Sequence, residues 1–483
     1  MIRERAAREL TDRQPEGVGR RLSLLAELWR AEGPASVVDR ARDHAAAARQ
    51  RRRFRRVDLA AMPAVSVLRV AAAPPVPWLG GVPALLGSTM REQQRHGDTG
   101  LLYPWSGGLR LEVVAGRRRF AAQLSSGALA AADGREGWAD GLQSSTDGGE
   151  GWAHHDGWVN GVERAAAAVD ARLLHVEGAA GLPLSGLTTL ARQRPLVLSL
   201  HDFALFCPRP NLYDERRDAG CGYCADGDTC ERTLAAAGHP AAGNAGPWRE
   251  RGAELLAACR CVVYPSPFLR AAHERLFGSA GAETRVIAPG IEHARMSPWR
   301  WPWTARSAAP RIAFIGGGSP HKGSALLAAA IAERTRCGVP RVRWEVLGGG
   351  GADRLRALRR LPGVRVRGYY RHGSLGALLR RRRVELALLL PRVPESFSLV
   401  LSECLAAGVP VMATAQGALA ERLQAGGGHL LPEHATTDEL VAALADWTSG
   451  RLAMPAPPPV PTTGGAAAAL AGLYDELAAK AGG

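Results

Sequence analysis

The sequence predicts an α/β protein of two doubly wound halves in series, preceded by a basic helical extension. Three observations carry this. Short apolar runs alternate with helix-period stretches along most of the chain, the pattern of a parallel sheet covered on both faces. The 483 residues exceed one ordinary core and suit two domains of roughly 200 residues each. The hydrophobic content of 46% is that of a globular chain, and no repeat of solenoid period occurs.

Residues 1–60 form the extension. "LSLLAELWRAEGPASVVDRARDHAAAARQRRRFRR" has helical spacing and ends in a basic run. A solvated face is the favoured reading, and a patch for anionic lipid headgroups is the other. The first α/β domain is expected over 61–297. "VSVLRVAAAP" reads as a buried strand, and "WLGGVPALLGSTMREQQRHG" as a glycine turn entering a helix. Residues 100–160 are irregular, rich in Gly, Asp, Trp and Ser, and no element is assigned there. Order returns with "ARLLHVEGA" (strand), "LSGLTTLARQ" (helix), "RPLVLSLHD" (strand), "CRCVVYPS" (strand) and "PFLRAAHERLFG" (helix).

"PWRWPWTARSAAP", 298–310, reads as an interdomain linker, and the second domain is expected over 311–454. There "RIAFIGG", "VRWEVLGG", "VRVRGYY", "VELALLLP" and "PVMATA" are strands. Between and after them, "GSALLAAAIAER", "ADRLRALRRL", "SLGALLRRR", "SLVLSECLAAG" and "ELVAALADW" are helices. Residues 455–483 read as a proline-rich tether and a last helix.

The net charge of +15 suits nucleotides, phosphates, acidic membrane surfaces or nucleic acid without choosing among them. No nucleic-acid motif stands out, so no nucleic-acid partner is expected. No run of 18 apolar residues is present, and "MIRERAARELTDRQ" lacks the apolar core of a secretory signal. A cytoplasmic protein is expected, with peripheral contact at the inner membrane face left open by the basic extension.

Two constellations carry chemistry. Among 61 Lys plus Arg there are only two lysines, Lys322 and Lys480. Lys322 follows the glycines Gly316, Gly317 and Gly318 at a strand-to-helix turn, where phosphates bind in parallel sheets. A lysine there adds a compact point charge, although a plain surface lysine gives the same pattern. The second is "PESFSLVLSECLAAGVPV". Eight residues at about 100° each place Glu395 and Glu403 about 80° apart, so both can lean toward one cleft. Glu403 stands in a largely apolar helix and needs polar partners, such as sugar or ribose hydroxyls. The N–H groups of Phe397, Ser398 and Leu399 can take a phosphate or sugar oxygen.

Together, "HKG" followed about seventy residues later by "ESFSLVLSE" and "CLAAGVPVMATAQGALAE" resembles the donor-binding half of retaining GT-B glycosyltransferases, the "group 1" or family 4 type. The likeness is strong over 311–447 and weaker over 65–290, where "LGGV", "HVEG", "LSLHD", "VVYPSPF" and "APGIE" fall in the family's order. It implies a GT-B fold, two Rossmann-like domains facing across a cleft, and a hexosyltransferase or similar enzyme. The donor would be a UDP- or GDP-sugar and the acceptor a glycan or a lipid-linked group, in surface polysaccharide or glycolipid biosynthesis by family analogy. No catalytic metal would be required.

Carried over, Glu395 sits by the donor sugar hydroxyls, Glu403 holds the ribose and Lys322 neutralises the diphosphate. His201 of "LSLHD" reaches the transferred sugar, and Gly80 and Gly81 lie near the donor phosphates and acceptor. One departure stands out: many members carry an arginine five residues before the lysine, where this chain has Gly317. A transferase that binds donor without turning it over, and a non-catalytic basic scaffold, are the alternative readings.

Cys207, Cys221, Cys224 and Cys230 lie in a Gly- and Asp-rich insertion. Their C-x2-C centre has metal-ligand spacing, so a structural zinc site competes with free thiols and a disulfide. "HHDG" at 154–157 and "LLRRRRVE" read as a polar loop and a helix end. Tyr369 and Tyr370 fall near where relatives hold the base, or pack in the core.

Overall fold

A computed structural model describes residues 26–76, 80–106, 108–124, 155–209, 211–214, 217, 219–222, 227–236, 238–239, 241–278, 281–292, 309–338 and 342–482. The expected linker at 298–310 lies outside them except for its last two residues. The chain divides into two compact units. One comprises Ala46–Leu212, Cys221–Pro289 and Thr463–Gly483, and the other Met1–Ala45, Tyr213–Gly220 and Gly290–Thr462. The helix at the carboxy terminus is thus grouped with the amino-terminal α/β unit. The first described segment is grouped with the carboxy-terminal one.

The amino-terminal unit follows helix α1 (Pro34–Arg52) with β1 (Arg55–Arg56), β2 (Val67–Ala71), α2 (Gly81–Gln93), β3 (Thr99–Trp105), β4 (Gly108–Ala115) and β5 (Arg118–Leu124). Then come α3 (His155–Ala168), β6 (Leu173–Glu177), α4 (Leu184–Gln193) and β7 (Leu196–Ser199). A hairpin of β8 (Tyr213–Asp214) and β9 (Ala219–Gly220) belongs to the other unit. The chain continues through α5 (Gly227–Ala236), α6 (Ala245–Ala258), β10 (Cys261–Tyr264), α7 (Pro267–Phe277) and β11 (Glu283–Val286).

Its sheet runs β1-β5-β4-β3-β2-β6-β7-β10-β11, and β3, β2, β6, β7, β10 and β11 are parallel neighbours. Leu174, Val176 and Leu198 on the strands meet Leu187 and Leu190, the helix-spaced stripe of α4, in one buried cluster. The region left unassigned in the sequence holds an antiparallel ribbon, β3–β4–β5. Gly116, at φ 54°, takes the left-handed position of the turn joining β4 to β5.

The carboxy-terminal unit continues through β12 (Arg311–Ile315), α8 (Ser324–Arg336), β13 (Arg343–Leu347), α9 (Ala352–Arg359), β14 (Val364–Arg367), α10 (Leu375–Arg381) and β15 (Leu386–Leu389). It closes with α11 (Leu399–Ala406), β16 (Val411–Thr414), α12 (Ala418–Leu423), β17 (Gly428–Leu431) and α13 (Thr437–Ser449), before α14 (Thr463–Gly482) joins the other unit. The sheet order is β14-β13-β12-β15-β16-β17, and every pairing is parallel. The order reverses between β12 and β15. In open α/β sheets, ligands bind outside the carboxyl ends of the strands at such a switch point.

Phe314 of β12 is fully buried with Leu327 and Ile331 of α8 on one face of this sheet. Leu401 and Cys404 of α11 cover the other with Ala387 and Ala413. Thr436 and Glu439 cap α13 reciprocally, each accepting the other's backbone N–H. Among the described residues no helix is long and apolar enough to cross a membrane.

Candidate functional site

Lys322 ends a short 3-10 turn, Pro320–Lys322, between β12 and α8. Gly323 then takes a left-handed φ of 82°, and a Cβ there would stand 2.0 Å from the Leu390 carbonyl oxygen. Only glycine fits this seam. Arg392 N–H donates to the His321 carbonyl at 2.8 Å, tying the lysine turn to the loop after β15. Lys322 Nζ reaches Glu395 Oε1 at 2.5 Å. The sequence-predicted lysine and first glutamate are therefore side by side at the switch point.

The glycines before Lys322 serve a different purpose from the expected phosphate cradle. Gly316 and Gly317 N–H both donate to the Leu347 carbonyl, at 3.0 and 2.9 Å, and Gly318 N–H donates to Gly350 at 3.2 Å. A Cβ on Gly317 would meet Gly349 and Gly348 oxygens at 2.3 and 2.5 Å. Gly317 and Gly318 are glycines because two loop backbones touch, and a Cβ on Gly316 would meet the Phe314 ring and the Lys322 side chain. An arginine at 317 has no room for its Cβ.

Glu395 lies ahead of α11, and Ser398, at φ 68°, intervenes in the left-handed region. One helical period therefore does not relate Glu395 to Glu403, as the sequence reading had it. The loop is fixed by other means. Ala418 N–H donates to the Glu395 carbonyl at 2.9 Å. Arg422 of α12 donates to the Phe397 and Ser398 carbonyls at 2.9 and 3.0 Å and to Ser402 Oγ at 2.7 Å. Its guanidinium lies 4.0 Å from the Phe397 ring centroid, and burial pulls its pKa down to about 10. The N–H groups of Phe397, Ser398 and Leu399 find no acceptor among the described residues. Glu403 is buried at 6% exposure. Burial pushes its carboxyl up to about 7, against the opposing hydrogen bond from Gly373 N–H.

In the amino-terminal unit, Gly80 caps α2 with φ 137°, and a Cβ on Gly80 or Gly81 would meet nothing within 4 Å. His201 follows β7, with Nε2 3.3 Å from Glu177 Oε2. Glu177 also pairs with Arg69, whose Nη2 donates to the Tyr474 hydroxyl at 3.0 Å. His175 bridges Tyr474 (2.5 Å) and Ser199 Oγ (2.7 Å). Burial drives His175 down to about 3, so it is neutral. For Glu177, burial alone would raise the carboxyl, but Arg69 holds it far below the usual range. A cavity of about 40 Å³ borders this cluster, lined by Arg69, Glu177, Ser199 and His201 among others.

Cys224 lies outside the described residues. Among those described, no group of three or more His, Cys, Asp or Glu is placed to hold a metal. The Cys207 thiol is hydrogen-bonded to Cys221, and that contact with burial raises its pKa. Arg249 Nη2 donates to Cys230 Sγ at 2.8 Å. The cysteines described are free thiols, so the structural zinc site finds no support.

Residues 309–449 match the family model described as Glycosyl transferases group 1. The chain carries a group 1 glycosyltransferase domain. No curated protein matches the sequence. Solved structures match it by fold. Sucrose-phosphate synthase from Thermosynechococcus elongatus is 17% identical with a TM-score of 0.57, covering 86% of this chain and 100% of its own. The E. coli trehalose-6-phosphate structure bound with UDP-2-fluoro glucose is 15% identical with a TM-score of 0.51, covering 80% and 91%. Anabaena HepE in complex with UDP is 16% identical with a TM-score of 0.50, covering 86% and 100%. The fold is GT-B.

Several residues that shape these sites are not marked in the sequence. Arg422 sits in "ALAERL" with nothing local to mark it as a clamp. Glu177 stands inside "HVEG", and Tyr474 is nearly 300 residues from its partner His175. Glu32, Ser36, Asp39, Arg40 and Asp43 are buried, although the extension reads as solvated. Their helical spacing marks one face of the helix, but a stripe of polar residues reads as solvent-facing.

Proposed function

We propose that the chain transfers a sugar, with retention, from a nucleoside diphosphate sugar to an acceptor hydroxyl in a surface polysaccharide or glycolipid. The observation that carries this is the pairing of Lys322 with Glu395 at the switch point, with the buried carboxyl Glu403 in the helix that follows. Relatives of the same fold hold UDP or UDP-2-fluoro glucose, which supports a nucleoside diphosphate donor.

In this reading Lys322 stabilises the negative charge that develops on the departing diphosphate. The sugar leaves as an oxocarbenium-like species, and the acceptor hydroxyl attacks the same face, its proton passing to the departing diphosphate oxygen. Glu395 hydrogen-bonds the sugar hydroxyls, and Glu403 takes the ribose hydroxyls that satisfy its buried oxygens. The N–H groups of Phe397, Ser398 and Leu399 donate to a phosphate or sugar oxygen. His201 acts on the transferred sugar, held in orientation by Glu177. Gly80 and Gly81 leave open space at the mouth of α2. The basic surface suits an acceptor with a lipid diphosphate at an anionic membrane.

A thermal-shift screen with UDP, GDP, ADP, TDP and CMP, with and without EDTA, tests the reading. A ligand at a hundredfold excess over its Kd stabilises by about 2.7 kcal/mol. A shift with one diphosphate that persists in EDTA and vanishes in Lys322→Ala supports it. No shift with any nucleotide at several millimolar rejects it.

A further inference from the structure

The segment before the first α/β unit ends in an arrangement that its composition does not require. Residues 26–32 are helical, Gly33 turns the chain at φ 91°, and α1 follows. Glu32, only 3% exposed, is set against the carboxyl ends of β13 and β14. Its carbonyl accepts Gly368 N–H at 2.9 Å. Its carboxylate accepts Tyr369 N–H at 3.0 Å and Gly350 N–H at 3.3 Å. Arg40 donates to the same carboxylate at 2.8 and 2.9 Å, and Ser36 Oγ also donates to it. Asp43 accepts the Tyr369 hydroxyl at 2.6 Å and Arg371 Nε at 2.8 Å.

The same loop borders the donor residues. Gly373 N–H is bonded to Glu403, so residues 368–373 lie beside the carboxyl assigned to the ribose. A nucleotide that runs from Lys322 past Glu403 would bring its base to this loop. The Tyr369 and Gly350 amides are donors suited to the carbonyl oxygens or ring nitrogens of a base. Glu32 already holds both.

We propose that Glu32 and its helical segment occupy the base end of the donor groove, and that a nucleotide binds only by displacing them. This rests on the donor assignment above. It makes the amino-terminal segment a built-in competitor that sets donor affinity, and anything that draws the segment away would raise that affinity.

Calorimetry on the full chain tests this with UDP, GDP and inorganic pyrophosphate. Glu32→Gln and Glu32→Ala are expected to bind the accepted nucleoside diphosphate about tenfold more tightly than the wild type. Pyrophosphate, which reaches only the Lys322 end, should bind all three alike. Hydrogen exchange on the unmodified protein needs no substitution to be tolerated. Saturating nucleotide should speed exchange across residues 28–44 and slow it at 369–373. Equal nucleotide affinities in wild type and both variants, or unchanged protection of 28–44 in the nucleotide complex, would overturn the proposal and leave the donor assignment standing. Failure of every form to bind any nucleotide would overturn both.

Discussion

Lys322 and Glu395 form an ion pair, Nζ to Oε1 at 2.5 Å, between the loops that follow β12 and β15. The side chains are 36% and 17% exposed, so the pair is partly screened and contributes about 0–1 kcal/mol to stability. Its consequence lies in binding. An arriving diphosphate meets an ammonium that already has a carboxylate partner.

Replacing Glu395 by glutamine should therefore separate binding from turnover. The released ammonium is expected to hold pyrophosphate and nucleoside diphosphate several-fold more tightly at low salt. Transfer should fall about a hundredfold if the proposed contact of Glu395 with the sugar is lost. Calorimetry and initial rates on Glu395→Gln check both, and Lys322→Ala should lose binding and turnover together with little change in melting temperature.

Glu403 gives the protein a pH dependence of definite sign. Its carboxyl titrates near 7 when folded and near 4.5 when unfolded. Between those values the folded state keeps a proton that the unfolded state has released. Stability from this group is complete below about 4.5, falls as pH rises and is lost above about 7, a change on the order of 3 kcal/mol. Melting curves from pH 5 to 8 should show the decline in the wild type and a flatter profile in Glu403→Gln. That variant should also bind nucleotide more weakly, through loss of the proposed ribose contact.

Much of this was legible in the sequence because it is local. Strands β12, β13, β15 and β16 are largely apolar runs beside glycine or proline, Lys322 and Glu395 stand in the loops after β12 and β15, and Glu403 follows in α11, whereas β17 is not among the strands the sequence predicts. What was not legible depends on contacts across the chain. The β3–β4–β5 ribbon carries Pro104 and several arginines, which dilute its alternation. Glu32 and Asp43 face inward with their polar atoms matched by Tyr369, Gly350 and Arg371, so hydrophobicity alone marks them as solvent-facing. The glycines before Lys322 suggest room for a ligand, whereas the Gly348–Gly351 backbone fills the space beside Gly317 and Gly318.

Tyr474 ties α14 to the His201 environment. Its hydroxyl meets Arg69 Nη2 at 3.0 Å and His175 Nδ1 at 2.5 Å. Tyr474→Phe removes that oxygen without changing the packing of Leu473 and Leu477 on the sheet. A buried donor left unpartnered costs about 1–3 kcal/mol. A lower melting temperature with faster amide exchange along α14 is expected, and an unchanged melt would show that the network is not holding the helix.

Arg422 should behave as a positioning residue for the Phe397–Ser398 loop. It satisfies two carbonyls and a hydroxyl while stacking on Phe397. A lysine has neither the planar fork nor the stacking surface. Arg422→Lys is expected to cost about 1.5–3 kcal/mol of stability and to weaken nucleotide binding through disorder of the loop amides. Chemical denaturation and calorimetry on the variant read the two effects separately.

Gly317 is where the family pattern and this chain's backbone disagree. Restoring the arginine found in many relatives looks like a gain of one phosphate contact. Here the residue sits at φ 60°, and its Cβ would stand 2.3 Å from Gly349 O and 2.5 Å from Gly348 O. A side chain pays about 1–2 kcal/mol for the left-handed backbone, and crowding two loop backbones adds about 1–3 kcal/mol. Gly317→Arg is therefore expected to destabilise the carboxy-terminal unit and to weaken donor binding. Gly317→Ala, which adds the Cβ without the charge, should lose most of the same stability in a thermal melt. Tighter nucleotide binding by Gly317→Arg, with an unchanged melt, would mean that the two glycine loops separate readily and that the missing charge, not the backbone contact, limits this site.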